Sequence, residues 1–207
     1  MVGNGMVGAQ GLAPLPVNPM KIGVLAIQGD FAEHIAMLKR LDVQTAEVRL
    51  PAHLAGLDGL IMPGGESTTI GKLAVDYGLL EPLRAFGKTH AIWGTCAGAI
   101  FLSKDALRNQ PLLGIMDITV QRNAFGRQVD SFEADLAIPE LGEGGPYHAI
   151  FIRAPIIESV QGDAKILSSL SDGRIVAAQQ GKLLATSFHP ELTDDTRFHE
   201  FFLSLAH

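Results

Sequence analysis

Ala91-Ile92-Trp93-Gly94-Thr95-Cys96-Ala97-Gly98 decides how this chain is read: a short apolar run closes on a turn of small residues that carries the only cysteine of the protein. A small-residue turn between a buried strand and a helix can hold one side chain clear of the sheet, with the next backbone N–H groups free at the helix start, which is where a nucleophile belongs. The helix N-terminal dipole favours thiolate over thiol, and Gly94 and Gly98 leave room for backbone to approach a substrate. Taken without context, a lone cysteine is also among the most buried residue types and packs as a small hydrophobe.

Context comes late in the chain, where Leu183-Leu184-Ala185-Thr186-Ser187-Phe188 reads as a strand running into His189-Pro190-Glu191. His189 suits a general base for the thiol, and Glu191, two residues on, suits the group that orients the imidazole, so that Cys96, His189 and Glu191 form a candidate triad. Pro190 stiffens the turn between them. A third element is the buried run Leu57-Asp58-Gly59-Leu60-Ile61-Met62, followed by Pro63-Gly64-Gly65-Glu66-Ser67-Thr68-Thr69. It reads as a strand, a glycine loop and a helix capped by Ser67 or Thr68. Backbone N–H groups of the loop could complete an oxyanion hole with the N–H of Ala97. It is no phosphate loop, because the Gly-Lys-Ser/Thr ending is missing.

From Lys21 onward strands and helices alternate. Ile22 to Ile27 is expected as a strand and Asp30 to Leu41 as a capped helix, with Asp30 and Glu33 at capping-box spacing and Ile35, Leu38 and Leu41 on its apolar face. Strands at Val43 to Val48 and Leu57 to Met62 follow, then helices near Thr69 to Tyr77 and Leu79 to Phe86. This alternation implies a largely parallel sheet covered on both faces, with chemistry at the carboxyl ends of its strands. After Leu113 the runs shorten, with strands expected at Ile115 to Val120, His148 to Ile152, Lys165 to Leu167, Arg174 to Gln179 and Lys182 to Phe188. Gln180-Gly181 is the expected hairpin turn, and Thr193 to Leu205 a terminal helix with Phe198, Phe201, Phe202 and Leu205 inward.

Composition narrows the classes. The length of 207 residues with 47% hydrophobic and 18% charged residues suits one soluble globular domain, and a net charge of −6 without basic clusters gives no nucleic-acid footprint. No apolar run approaches a membrane span. One cysteine permits no internal disulfide, and a reactive thiol favours a reducing compartment, so a cytoplasmic protein is expected. Residues 1–19 are rich in Gly and Pro and carry no charge, and are expected to be a disordered leader or added extension, with residues 20–207 as the one domain.

On these residues the chain resembles the class I (triad) glutamine amidotransferases, and within them the glutaminase subunits of pyridoxal 5′-phosphate synthases. The likeness runs from about Met20 to the C-terminus through residues 63 to 69, 94 to 98 and 187 to 192. The block Arg122-Asn123-Ala124-Phe125-Gly126-Arg127-Gln128-Val129-Asp130-Ser131-Phe132-Glu133 discriminates further, because generic amidotransferases lack it, and Phe151-Ile152-Arg153-Ala154-Pro155 adds support.

The resemblance implies a flavodoxin-like three-layer α/β fold with a mixed, largely parallel sheet. It also implies hydrolysis of L-glutamine to glutamate and ammonia by Cys96, His189 and Glu191, with glutamine held by Gly65, Glu66, Ser67, Arg122, Ile152 and Arg153, and an oxyanion hole at Gly65 and Ala97. Gln28-Gly29 matches a segment the family associates with activation by its partner. That implied partner is a (β/α)₈-barrel synthase subunit receiving the ammonia, and neither a cofactor nor a metal is expected on this chain. An arginine fork suits the substrate α-carboxylate, although the sequence leaves open which arginine serves. Three competing readings stand beside this one: another class I amidotransferase, a cysteine hydrolase of the related flavodoxin-like superfamily, and an inactive subunit that only binds its partner.

Overall fold

A computed structural model describes residues 19–122 and 131–207. The 1–18 leader and the 123–130 portion of the discriminating block, Arg127 included, lie outside the described residues. The strands are β1 (Lys21–Leu25), β2 (Gln44–Val48), β3 (Gly59–Met62), β4 (Ala91–Thr95), β5 (Ser103–Asp105), β6 (Met116–Gln121), β7 (Ser131–Leu136), β8 (Tyr147–Ile152), β9 (Ile156–Val160), β10 (Lys165–Ser169), β11 (Ile175–Gln180) and β12 (Leu183–Thr186). The helices are α1 (Phe31–Arg40), α2 (Ser67–Asp76), α3 (Leu80–Phe86), α4 (Ala97–Leu102) and α5 (Arg197–Ala206).

The main sheet runs β2-β1-β3-β4-β12-β11-β9-β6-β5, with β10 paired to β11, while β7 and β8 form a separate antiparallel pair. β2, β1, β3, β4 and β12 are parallel to one another, and the far half turns antiparallel at β12/β11. The expected α/β fold with a mixed, largely parallel sheet is therefore observed. Alternation along the strands divides the core: Leu60 and Met62 of β3 pack with Ile70, Leu83 and Ile100 from α2, α3 and α4, whereas Ile61 and Trp93 pack with Leu38, Phe198 and Phe202 from α1 and α5. Helices thus cover both faces, which parallel strands require.

Several expectations shift. β5, β7 and β9 depart from the expected strands: β5 is three residues long, β7 starts within the end of the discriminating block and runs past it, and β9 is a short run directly behind Pro155. The β11–β12 hairpin turns at Gly181-Lys182 rather than Gln180-Gly181, because Gln180 still pairs with Leu183. α5 begins at Arg197, later than the expected Thr193. Of its expected inner face Phe198 and Phe202 are buried, Phe201 and Leu205 only partly so, and His199 is buried as well. On α1 the buried residues are His34, Met37 and Leu38, with Ile35 and Leu41 half-buried. No helix among the described residues is long and apolar enough to cross a membrane.

Candidate active site

Four neighbouring parallel strands, β1, β3, β4 and β12, point their carboxyl ends to one place, and the segments leaving them carry the site. Leaving β4, Cys96 has φ 48° and ψ −106°, a left-handed turn that costs a non-glycine residue on the order of 1–3 kcal/mol. The Cys96 N–H donates to the Thr186 carbonyl at 2.8 Å, locking the turn to the end of β12. Gly94 and Gly98 serve this turn differently from expectation. A β-carbon on Gly94 would meet the Gly98 carbonyl carbon and oxygen at 2.5 Å, and one on Gly98 would collide with the Met62 carbonyl. Their absent side chains let α4 sit directly on the ends of β3 and β4, so they admit protein backbone rather than substrate.

From β12 the chain passes Ser187 and Phe188 to His189, whose N–H donates to Ile150 O of β8 at 2.9 Å. Pro190 opens a single 3-10 turn, Pro190–Leu192, that carries Glu191 inward. His189 Nδ1 lies 2.7 Å from Glu191 Oε1, and a hydrogen bond joins the imidazole to Cys96. With Nδ1 engaged by Glu191, Nε2 is the nitrogen left for the thiol. Burial works against a charged imidazole here, yet the hydrogen bonds to Cys96 and Glu191 and their electrostatic pull outweigh it and raise the His189 pKa to about 10. Burial pushes the Glu191 carboxyl upward, against the pull of His189. The three residues selected from sequence are therefore together, all less than one-tenth exposed.

The glycine loop after β3 packs on the segment after β1. The Gln28 side-chain oxygen accepts from the Glu66 N–H at 2.8 Å, and the Asp30 N–H donates to the Gly64 carbonyl at 3.1 Å. Gly29 (φ 98°) lies against the Gly64 carbonyl, and Gly64 in turn backs onto the His189 ring, whose Cε1 would lie 2.6 Å from a β-carbon there. The helix cap differs from the expected Ser67 or Thr68. Glu66 occupies it, its extended backbone letting the long side chain curl back to accept from Thr68 N at 3.4 Å and Thr69 N at 2.8 Å. Arg122 Nη1 also donates to Glu66 Oε1 at 2.6 Å. Burial opposes ionisation of Glu66, but the Thr69 and Thr68 hydrogen bonds and the Arg122 charge hold its pKa at about 2.

Asp30 stands at the N-cap of α1, but its side chain makes no capping hydrogen bond, so the anticipated capping box is not formed. Its Oδ2 instead lies 3.9 Å from His189 Nδ1. Ligand atoms of Asp30, His189 and Glu191 fall within 4.8 Å of one another. A metal there would need a bare Nδ1, whereas Nδ1 carries the proton it donates to Glu191, so the geometry suits a proton relay better than an ion.

A pocket of about 330 Å³ opens over Cys96 and His189 and is lined by Gln28, Gly65, Glu66, Ser67, Ala97, Arg122, Ile152 and Arg153, together with Asp30, Ile100 and Pro155. Every candidate glutamine-binding residue thus borders one cavity. Glu191 stands behind it, and Gly29 lies outside the lining, against the glycine loop. Arg122 is half-buried and paired with Glu66; Arg153, directly after β8, has φ 45° and also lines the pocket. Sequence reasoning missed His34 and His199. His34 Nε2 lies 3.3 Å from Glu191 Oε2, and His34 Nδ1 lies 3.1 Å from His199 Nε2. The available signal was helical spacing, since His34 stands four residues before Leu38 on the inner face of α1.

Residues 24–206 match the model of the SNO glutamine amidotransferase family. A pyridoxal 5′-phosphate synthase subunit PdxT from Herpetosiphon aurantiacus is 60% identical over 191 residues, covering 90% of this chain and 100% of the relative. The subunit of the same name from Moorella thermoacetica is 56% identical over 188 residues, covering 90% of this chain and 99% of the relative. Among solved structures, one described as a glutamine amidotransferase superposes with a TM-score of 0.85 at 51% identity, covering 89% of this chain and 98% of its own.

Proposed function

The chain belongs to the SNO glutamine amidotransferase family, and we propose that it is the glutaminase subunit of a pyridoxal 5′-phosphate synthase, with Cys96, His189 and Glu191 as its catalytic residues. The observation that carries this reading is the meeting of Cys96 and His189 at the ends of adjacent strands β4 and β12, with Glu191 2.7 Å behind the imidazole. An inactive, merely binding subunit would not need that alignment.

In the proposed mechanism the Cys96 sulfur attacks the side-chain carboxamide carbon of glutamine. The resulting oxyanion is met by backbone N–H groups at Gly65 and Ala97. His189 protonates the departing nitrogen, the C–N bond breaks, and ammonia leaves with a γ-glutamyl thioester behind it. His189 then takes a proton from water, the hydroxide displaces sulfur, and glutamate departs as the thiol is restored. Glu191 keeps the imidazole oriented and stabilises its charged form.

Arg122 and Arg153 both line the pocket and are the candidate partners of the substrate α-carboxylate. Glu66, bound both to Arg122 and to the start of α2, has a structural contact, with Ser67 and Ile152 completing the walls. The ammonia passes to the synthase subunit, a (β/α)₈ barrel, and this chain needs no cofactor or metal of its own. The working location is the cytoplasm. Mixing the chain with a synthase subunit and measuring glutamate release tests the assignment: glutamine-dependent pyridoxal 5′-phosphate formation is expected, and its absence with a competent partner overturns it.

A further inference from the structure

We propose that His34 and His199 form a positioning pair behind the triad, in which His34 steadies the outer oxygen of Glu191 so that the inner one stays aligned on His189. This rests on the reading of Cys96, His189 and Glu191 as a glutaminase triad.

The inner faces of α1 and α5 are otherwise apolar, and an apolar side chain at either position would avoid desolvating an imidazole. Instead both histidines are fully buried against Trp93, whose ring lies 5.6 Å from His34 and 5.0 Å from His199. His34 Nε2 faces Glu191 Oε2 at 3.3 Å and Thr95 Oγ1 at 3.2 Å, while His34 Nδ1 faces His199 Nε2 at 3.1 Å. Glu191 Oε2 is buried and has no aligned hydrogen bond among the described residues, so the His34 approach is an electrostatic contact that compensates it.

The proton inventory has one consistent solution. A lone pair at His34 Nε2 would face a carboxylate oxygen, so the proton belongs there and Nδ1 must accept. His199 must then donate from Nε2, which makes its Nδ1 a bare acceptor, and that nitrogen has no hydrogen-bond partner among the described residues. Burial first, then the charge of neighbouring groups (His199 and His189 for His34, Arg40 for His199), keeps both rings neutral, so tautomer rather than charge sets the direction of the chain. The other ionisable groups facing the cluster are Asp30, beside His189 and Glu191, and Tyr147, whose hydroxyl senses Glu191. Thr95 ends the strand that delivers Cys96, and Trp93 Nε1 donates to Thr186 Oγ1 at 3.1 Å, tying the pair to both triad strands.

The test is glutaminase activity of the complex with the synthase subunit, followed across pH. His34→Leu removes the donor and is expected to lower kcat about tenfold with KM for glutamine little changed. The same change leaves Glu191 Oε2 uncompensated, so the acid limb of kcat/KM is expected to move up by about one pH unit. His34→Gln, which can return an N–H near the Nε2 position, should recover most of both. His199→Phe, which fits the aromatic surroundings, should shift the limb in the same direction by less.

A residue that only filled space would lower the amount of active enzyme, counted by titration with an electrophilic glutamine analogue, without moving the acid limb. A folded His34→Leu complex with a wild-type limb and kcat overturns the proposal. If His34→Leu does not fold, an unshifted limb in His199→Phe overturns it instead. A wild-type complex without glutaminase activity would overturn the underlying reading of the site.

Discussion

Gly29 and Gly64 are packed backbone against backbone: a β-carbon on Gly29 would fall on the Gly64 carbonyl oxygen, and Gly29 is held at φ 98°. The segment after β1 is thereby bolted to the loop after β3, next to His189. Gly29→Ala is expected to fold with a lowered melting temperature and to lose on the order of 10²-fold in kcat, because the displaced loop carries the proposed oxyanion donor at Gly65. Alanine at Gly56, where no atom lies within 4 Å of a β-carbon and φ is also positive, is the control and should retain activity. The two variants are compared by glutaminase assay and thermal melt.

Cys96→Ala should abolish glutamine hydrolysis, by about 10³-fold or more, while leaving the fold unchanged. Alanine adopts the Cys96 backbone geometry at a similar cost and fits the same buried site. Ammonium salt supplied to the complex carrying this variant should restore pyridoxal 5′-phosphate formation. Glutamate release by the folded variant would remove the nucleophile assignment.

His189→Asn should lose thioester formation, whereas Glu191→Gln should lose at least about tenfold less if the carboxylate chiefly orients the imidazole. Trapping of the γ-glutamyl enzyme with labelled glutamine reads both. Equal losses would mean that Glu191 does more than orient.

The isolated chain should hydrolyse glutamine slowly, and addition of the synthase subunit should raise kcat by about tenfold or more. The Gln28 contact to the Glu66 N–H and the Gly29 contact to Gly64 make the proposed oxyanion loop depend on the segment after β1, where a partner could act through a small backbone shift. Rates measured with and without partner decide this, and equal rates end the idea.

Stability should fall as pH drops from about 6.5 towards 3, beyond the general acid loss. His199 has its folded pKa lowered to about 3 by burial and Arg40, and that of His34 is likewise lowered by burial. A histidine with a lowered folded pKa binds its proton more readily when unfolded. Its contribution is thus complete above the unfolded value and lost as pH falls towards the folded one. Glu191, whose folded pKa is raised, contributes in the opposite sense. Urea midpoints for wild type and His199→Phe across this range should show a shallower acid slope in the variant; parallel slopes would refute the linkage.

What the linear sequence determined was local and contiguous. An apolar run followed by small residues already specifies a buried strand closed by a tight turn, so Cys96, the Gly64-Gly65 loop and His189 could be assigned to strand ends, and alternation of runs pointed to a parallel sheet. The same reasoning assigned caps to Asp30 and to Ser67 or Thr68 on spacing alone. In the folded molecule, Asp30 has a competing partner in His189, and Glu66 reaches the α2 amides itself under the pull of Arg122.

Only the tertiary structure decided contacts between distant elements. His34 and His199 are 165 residues apart, and no local pattern encodes that α5 lies beside α1 with two imidazoles meeting beneath Glu191. Gly98 against the Met62 carbonyl and Gly29 against the Gly64 carbonyl belong to the same class. The physical reason is that hydrophobic periodicity chooses which face of an element is buried, whereas the packing of those faces chooses which buried polar groups meet, and at this site those meetings hold the triad in place.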